Sequence, residues 1–273
     1  MNKDKKNGSI KGLYQNRELI WKLACNDFKK RYAGSYLGAI WAMIQPVVTI
    51  VMYYIVFDVI MKSGAQDGPR ATSIPYVLFL TAGLVPWFFF QEALTHGTAA
   101  MVEYNYLVKK VVFDVSILPV IKVLAAIFIH IFFVCVMIVM ACVYGYYPSI
   151  YTIQILYYSL CVLLLTLGLA YITSSIMVFF RDIAQIIGII LQIGMWATPI
   201  LWNIESLSPI WKTIISINPL VYVVTGYRNS VVGGVWFFED VWGTVYFWCF
   251  TLIMLWLGTT LFNRLKPHFA DVL

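Results

Sequence analysis

The 273-residue chain is 61% hydrophobic and only 12% charged, with a mean hydropathy of +0.81. Soluble domains run about 45–50% apolar and about 25% charged, so a water-soluble body is excluded: it would expose more apolar surface than it could hide. The net charge of +6 is read as a bias between two faces of a membrane, and no nucleic-acid partner is expected.

The N-terminal eighteen residues are mostly polar, so no cleavable signal peptide is expected. From Tyr14 to Tyr32 the sequence predicts an amphipathic helix lying in the interface. Trp21, Cys25, Phe28 and Tyr32 recur at i, i+4, i+7 and i+11 and form one apolar face. Lys22, Asn26, Asp27, Lys29 and Lys30 take the flanks and far side, where Leu19 and Leu23 also fall. Such a helix either anchors the chain ahead of its first span or forms a cuff that grips a cytoplasmic partner or an anionic headgroup.

A helix needs about 20 apolar residues to cross the hydrocarbon, and charge-free stretches give six spans. They are 37–57, ended by Asp58; 74–91, closed by Glu92; 123–143; 155–180; 183–203; and 241–262. The third and fourth are separated at Gly145-Tyr-Tyr-Pro148-Ser149, because Gly and Pro end helices and the Tyr pair suits an interface. Between spans two and three, Met101–Pro119 is either a solvated connector or a short helix. In the second case it presents Tyr104, Tyr106 and Leu107, beside Lys109 and Lys110, to a groove on a soluble protein. Between spans five and six, Ile204–Asp240 is too apolar for an ordinary loop and is cut by Pro209 and Pro219. Short re-entrant helices are expected there, covered by protein or lining a watery cavity. They form either the outer mouth of a pathway or a cap that only packs.

The fold class expected is therefore all-α integral membrane, a single transmembrane domain over 1–273. Most of the Lys and Arg residues fall on one side if the N-terminus is cytoplasmic, leaving Lys62, Arg70, Lys212 and Arg228 outside. The positive-inside rule then makes both termini cytoplasmic in a multi-pass protein of the cell membrane.

The search for chemistry yields little. No Gly is followed by Lys, so the chain has no GxxxxGK[ST] phosphate loop, and no HExxH is present. Cys25, Cys135, Cys142, Cys161 and Cys249 form no CxxC pair and are read as packing residues. His130 stands among the apolar residues of span three and is read as neutral and hydrogen-bonded. Asp58, Glu92 and Asp182 sit at predicted span ends, which counts against a proton-coupled carrier. No catalytic residue and no metal site is expected.

Four motifs then carry a resemblance: Phe28-Lys-Lys-Arg31-Tyr32-Ala-Gly34-Ser-Tyr-Leu37-Gly38-Ala-Ile-Trp41 through Gln45-Pro46; Phe180-Arg181-Asp182-Ile183 with Trp196-Ala-Thr198-Pro199; Asn218-Pro219-Leu220 with Tyr227-Arg228; and Phe269-Ala-Asp271-Val-Leu273. In this order the chain resembles the type-2 ABC exporter permeases for polysaccharides and polyol phosphates. Tyr147-Pro148-Ser149-Ile150, with Ile153-Gln154, is most similar to the branch that translocates wall teichoic acid. Asp114 departs from the family, which usually has Pro there.

The resemblance implies a permease subunit, not an enzyme, moving a polymer on an undecaprenyl diphosphate carrier. Wall teichoic acid is the expected polymer, with O-antigen or capsular polysaccharide as the alternative. It also implies a second copy of the chain and a separate ABC ATPase subunit that holds ATP and Mg, leaving no cofactor in this chain. The ATPase would meet Tyr104, Tyr106, Leu107, Lys109 and Lys110. Lys29, Lys30 and Arg31 are the candidates for the diphosphate headgroup. Trp41, Tyr53, Tyr54, Trp87, Phe88, Trp196, Trp202 and Arg228 are the candidates for the path, since flat aromatic faces stack on sugar rings. A membrane-embedded glycosyl- or acyltransferase and a substrate-gated channel are the other classes considered; the first lacks a clustered carboxylate pair, the second a filter motif.

Overall fold

The computed structural model describes residues 16–31, 38, 40–62, 64–67, 73–109 and 114–273. Helix α1 spans Arg17–Arg31, with Glu18 in its first turn and Lys29, Lys30 and Arg31 in its last, a distribution that complements the helix dipole. Helix α2 (Ile40–Tyr53) contains Pro46 and runs on into a π-helical stretch, Tyr54–Ile60. A two-residue antiparallel pairing, β1 (Gln66–Asp67) with β2 (Ser73–Ile74), precedes α3 (Tyr76–Glu103). One helical turn, α4 (Asn105–Val108), leads towards α5 (Ile117–Val143).

Gly145 adopts φ +87° after α5, a conformation that glycine enters without a Cβ clash. A 3₁₀ turn, Ile150–Ile153, begins with a reciprocal Ser149–Thr152 capping box and feeds α6 (Gln154–Met177). Helix α7 is Ile183–Ala197. The short α8 (Pro209–Ser216) and α9 (Pro219–Val232) each carry Pro in the first turn, where its missing N–H costs nothing. Helix α10 (Val241–Leu265) starts at Asp240, whose carboxylate accepts from Gly243 N. A 3₁₀ turn and α11 (Phe269–Val272) close the chain.

Helix α3 is the central post. It is buried along most of its length against α5, α6 and α9. Helices α6 and α10 pack closely through Gly168 and Gly258: a Cβ on Gly258 would lie 2.5 Å from the Gly168 carbonyl oxygen. Small residues of this kind let helix backbones approach within a membrane. A second, smaller core of Ile20, Ala24, Met101, Tyr104, Ile117, Phe262 and Phe269 ties α1 and α11 to one end of the bundle.

Among the described residues, five helices are long and apolar enough to cross a membrane: 40–60, 76–103, 117–143, 150–177 and 241–272. The expected fifth span, 183–203, is only partly helical. At 15 residues, α7 covers about 22 Å. Thr198 then turns to extended backbone, and Thr198, Ile200 and Leu201 are buried. The irregular stretch is thus covered by protein, as its polar backbone requires.

Other expectations need correction. The helix that carries span two runs on past Glu92 to Glu103, and Glu92 pairs with Arg31 at 3.0 Å. The connection expected over Met101–Pro119 narrows to 104–116. On α1 the residues buried against the bundle are Ile20, Ala24 and Asp27, beside the Trp21–Phe28 stripe. Trp21 and Phe28 flank that face and touch Phe128 of α5 at 5.4 and 5.3 Å between ring centroids, while Tyr32 lies outside the described residues. Cys135 and Cys249 are exposed on the helix surface, so they do not pack in the core as Cys161 does.

Candidate functional site

At the α1 end of the bundle, charged side chains converge from three helices, α1, α3 and α5, around the Tyr104 hydroxyl. Asp27 of α1 is buried. Its Oδ1 accepts from Lys122 Nζ of α5 at 2.6 Å and from the Tyr104 hydroxyl, and its Oδ2 accepts from Arg31 Nε at 3.0 Å. Lys122 also donates to Glu103, and Arg31 donates to Glu92 Oε1 at 3.0 Å. Burial alone would raise the Asp27 pKa. The hydrogen bonds from Lys122 and Tyr104 and the charges of Lys122 and Arg31 outweigh it and hold the carboxyl below its usual range. Burial and the Asp27 carboxylate push the Tyr104 hydroxyl well up, so it stays a donor. A second tie lies nearby. Asp114 accepts from Ser116 N and Oγ and from Lys266 Nζ at 2.8 Å, joining the start of α5 to the chain's C-terminal turn. Burial works against this carboxyl as well, and its partners again keep it ionised below the usual range.

These contacts sort the residues expected at this end. Tyr104 is turned inward, whereas Tyr106 and Lys109 are exposed and Leu107 is half-buried; Lys110 lies outside the described residues. Lys29 and Lys30 are exposed, but Arg31 is engaged by Asp27 and Glu92. Asp27 was the signal missed. It sits on the polar side of the helical pattern, and only its placement opposite Lys122 makes it the hub.

The path candidates do not share one surface. Trp41 and Trp196 are more than half exposed. Tyr53 and Tyr54 are half-buried at the junction of the α- and π-helical parts of α2, with the Tyr53 hydroxyl 3.9 Å from Met195 Sδ. Phe88 packs edge-on against Phe133 at 5.9 Å. Trp202 is half-buried and donates to the Trp196 carbonyl at 3.0 Å. Trp87 and Arg228 are buried inside the subunit. Arg228 lies 3.5 Å over the Phe79 ring and donates to the carbonyls of Phe79 and Ile200, pinning α9 to α3 and to the turn after α7. His130, as expected, is buried and hydrogen-bonded, to Ser159 Oγ at 3.1 Å and Tyr227 OH at 2.9 Å.

One feature was not anticipated. A cavity of about 430 Å³ between α2 and α3, touched also by α5 and α7, is lined by Gln45, Thr49, Gln91, Glu92, Thr95 and His96. The apolar part of its wall includes Pro46, Phe88, Ile129 and Met195. In sequence, Gln45/Thr49, Gln91/Thr95 and Glu92/His96 are all i,i+4 pairs, so each helix turns one polar stripe to the same space. That spacing was legible, but span-hunting treats polar residues in apolar runs as noise.

The described residues thus combine a buried ionic junction at one end with a polar groove between apolar helices. Residues 18–232 match the ABC-2 type transporter family. The chain belongs to that family. As a permease it is the multi-pass membrane component of an ABC transporter, with no catalytic domain, and its membership implies a separate ATPase subunit. Along 268 residues it is 26% identical to the O-antigen export system permease protein RfbA of Myxococcus xanthus, covering 96% of this permease and 98% of that protein. It is 28% identical to an O-antigen export system permease protein RfbA of Klebsiella pneumoniae, over 94% and 95% of the two chains. It is 21% identical to the polysialic acid transport protein KpsM of Escherichia coli, over 92% and 95%.

Proposed function

We propose that this permease exports a lipid-linked cell-surface polysaccharide of the O-antigen or capsular class across the cytoplasmic membrane. Two copies form the pathway, each bound to one ATPase subunit, and both termini face the cytoplasm. The observation that carries this reading is similarity over nearly the whole length to permeases named for O-antigen export and polysialic acid transport. It favours these polymers over wall teichoic acid, whose support is the short Tyr147–Gln154 likeness and the placement of the C-terminal tail.

The exposed Tyr106 and Lys109 are the ATPase-facing groups of the 104–116 connection. The buried junction behind them makes that connection, α1 and the start of α5 one body, so a push from the ATPase reaches α3 and α5 together. Lys29 and Lys30, exposed beside it, meet the undecaprenyl diphosphate headgroup. Deletion of the gene tests the reading. Surface polysaccharide should disappear and its lipid-linked form should accumulate inside the cell. Loss of wall teichoic acid with surface polysaccharide intact would restore the other polymer.

A further inference from the structure

The α2–α3 cavity carries a chemical specificity of its own. Polar side chains at membrane depth are expensive unless they are paired or face water or a ligand. Here the Gln45 and Gln91 side chains make no hydrogen bond among the described residues, and each offers both a carbonyl acceptor and an amide donor. Thr49 and Thr95 donate their hydroxyl protons to the carbonyls of Gln45 and Gln91, at 3.0 and 2.7 Å. Their oxygen lone pairs remain as acceptors. Phe88, Ile129 and Met195 add apolar patches between these groups. Mixed donors and acceptors beside apolar patches match a sugar ring, which has hydroxyls at its rim and C–H groups on its faces.

The charge in the cavity is equally informative. Among the described residues Glu92 is the only Asp, Glu, Lys or Arg in the lining, and its cation, Arg31, is already shared with Asp27. A phosphate or carboxylate on the passing polymer would find no free cation among these residues, because the Arg31 guanidinium is held by both Asp27 and Glu92.

We infer that this cavity is a saccharide subsite of the pathway, formed by Gln45, Thr49, Gln91, Glu92 and Thr95, that accepts uncharged, hydroxyl-rich sugar units and disfavours polyanionic ones. The inference rests on the export function proposed above and narrows its substrate to a neutral polysaccharide.

A photo-crosslinking amino acid placed at 45 or 91, in the intact transporter in native membranes, tests it. Irradiation should give a carbohydrate-bearing adduct at both positions and none from the exposed positions 160 and 253 on other helices. In inverted vesicles, added neutral mannose oligosaccharides should compete for the adduct, and sialic acid oligomers of the same length should not. The double variant Gln45→Leu/Gln91→Leu should export about tenfold less polymer, the factor that two hydrogen bonds of ordinary net strength supply. Absence of adducts at 45 and 91, in cells where gene deletion does abolish surface polysaccharide, would overturn the subsite and leave the export function standing. Failure of the mannose oligosaccharides to compete, or equal competition by the sialic acid oligomers, would overturn the preference for uncharged sugars. Surface polysaccharide that survives deletion would instead sink the export function itself.

Discussion

Helices α2 and α3 are both apolar, both interrupted by a proline, and yet opposite in use. In α3, 83% of the most apolar stretch is buried within the subunit; in α2 the figure is 6%. Pro86 sits in α3 among packed neighbours and is itself buried, whereas Pro46 borders the polar cavity. Hydropathy makes the two look alike, because lipid and protein interior are equally apolar solvents. The difference lies in where polar groups go. Helix α3 turns Gln91, Glu92, Thr95 and His96 towards α2 and fills its other faces with close-packed side chains. Helix α2 contributes Gln45 and Thr49, buries Ile50 in the core and leaves much of the rest of its surface uncovered. One helix holds the subunit together, and the other is a wall.

The contrast breaks most visibly under truncation. Trp87→Ala in α3 should cost about 3–5 kcal/mol of stability, the usual range for deleting a buried indole. Val48→Ala on the exposed side of α2 should stay within about 0.5 kcal/mol. Thermal unfolding of both variants in the same detergent checks the pair, and equal losses would erase the distinction.

The junction that fastens α1 to α3 and α5 is the next place to press. Lys122→Met removes one partner of a buried ion pair, a change that typically costs about 3–5 kcal/mol. The effect should fall near about 3 kcal/mol, since Arg31 continues to pair with Asp27. Proteolysis of α1 in membranes should rise with it. If α1 stays protected, the junction does not hold that helix.

A smaller effect is expected where α9 meets α6. A Cβ on Gly226 would fall 2.1 Å from the Tyr158 ring, so Gly226→Ala should cost about 1–3 kcal/mol through overpacking. Adding Tyr158→Leu should recover much of that loss if the ring is the obstacle, and a double variant no better than the single would place the cause elsewhere.

Acid gives the subtlest test. Asp27 and Asp114 have folded-state pKa values below the ordinary 3.8. Their contribution is therefore fully present above that value and is lost as pH falls through the lower folded values. Protection of α1 against hydrogen exchange, after correction for the intrinsic pH dependence of the amide rate, should fall once pH drops below the ordinary carboxylate range. An onset near neutral pH would assign the sensitivity to other groups.

How much of this was readable in the sequence follows the same divide. Spans and breaks were legible because charge-free length, Gly145 and the prolines act locally. The helical connection and the paired short helices at Pro209 and Pro219 were legible for the same reason. The pairing of Glu92 with Arg31 was not, because the two lie 61 residues apart in sequence. The same holds for Asp27, which reads as a solvated charge until Lys122 is placed beside it. Among site residues, aromatic content drew attention to Trp87, which the fold buries inside the subunit, as it does Arg228. The polar i,i+4 pairs facing the cavity carried the signal that aromatic counting passed over.

The central claim is that the chain is a conduit driven by a separate motor. Proteoliposomes containing the purified permease, its ATPase partner and the lipid-linked polysaccharide test it most directly. With ATP, polymer should become accessible to a glycosidase on the far side of the membrane only when both proteins are present, and the permease alone should hydrolyse no ATP. Polymer transfer or ATP hydrolysis by the permease without its partner would contradict the account.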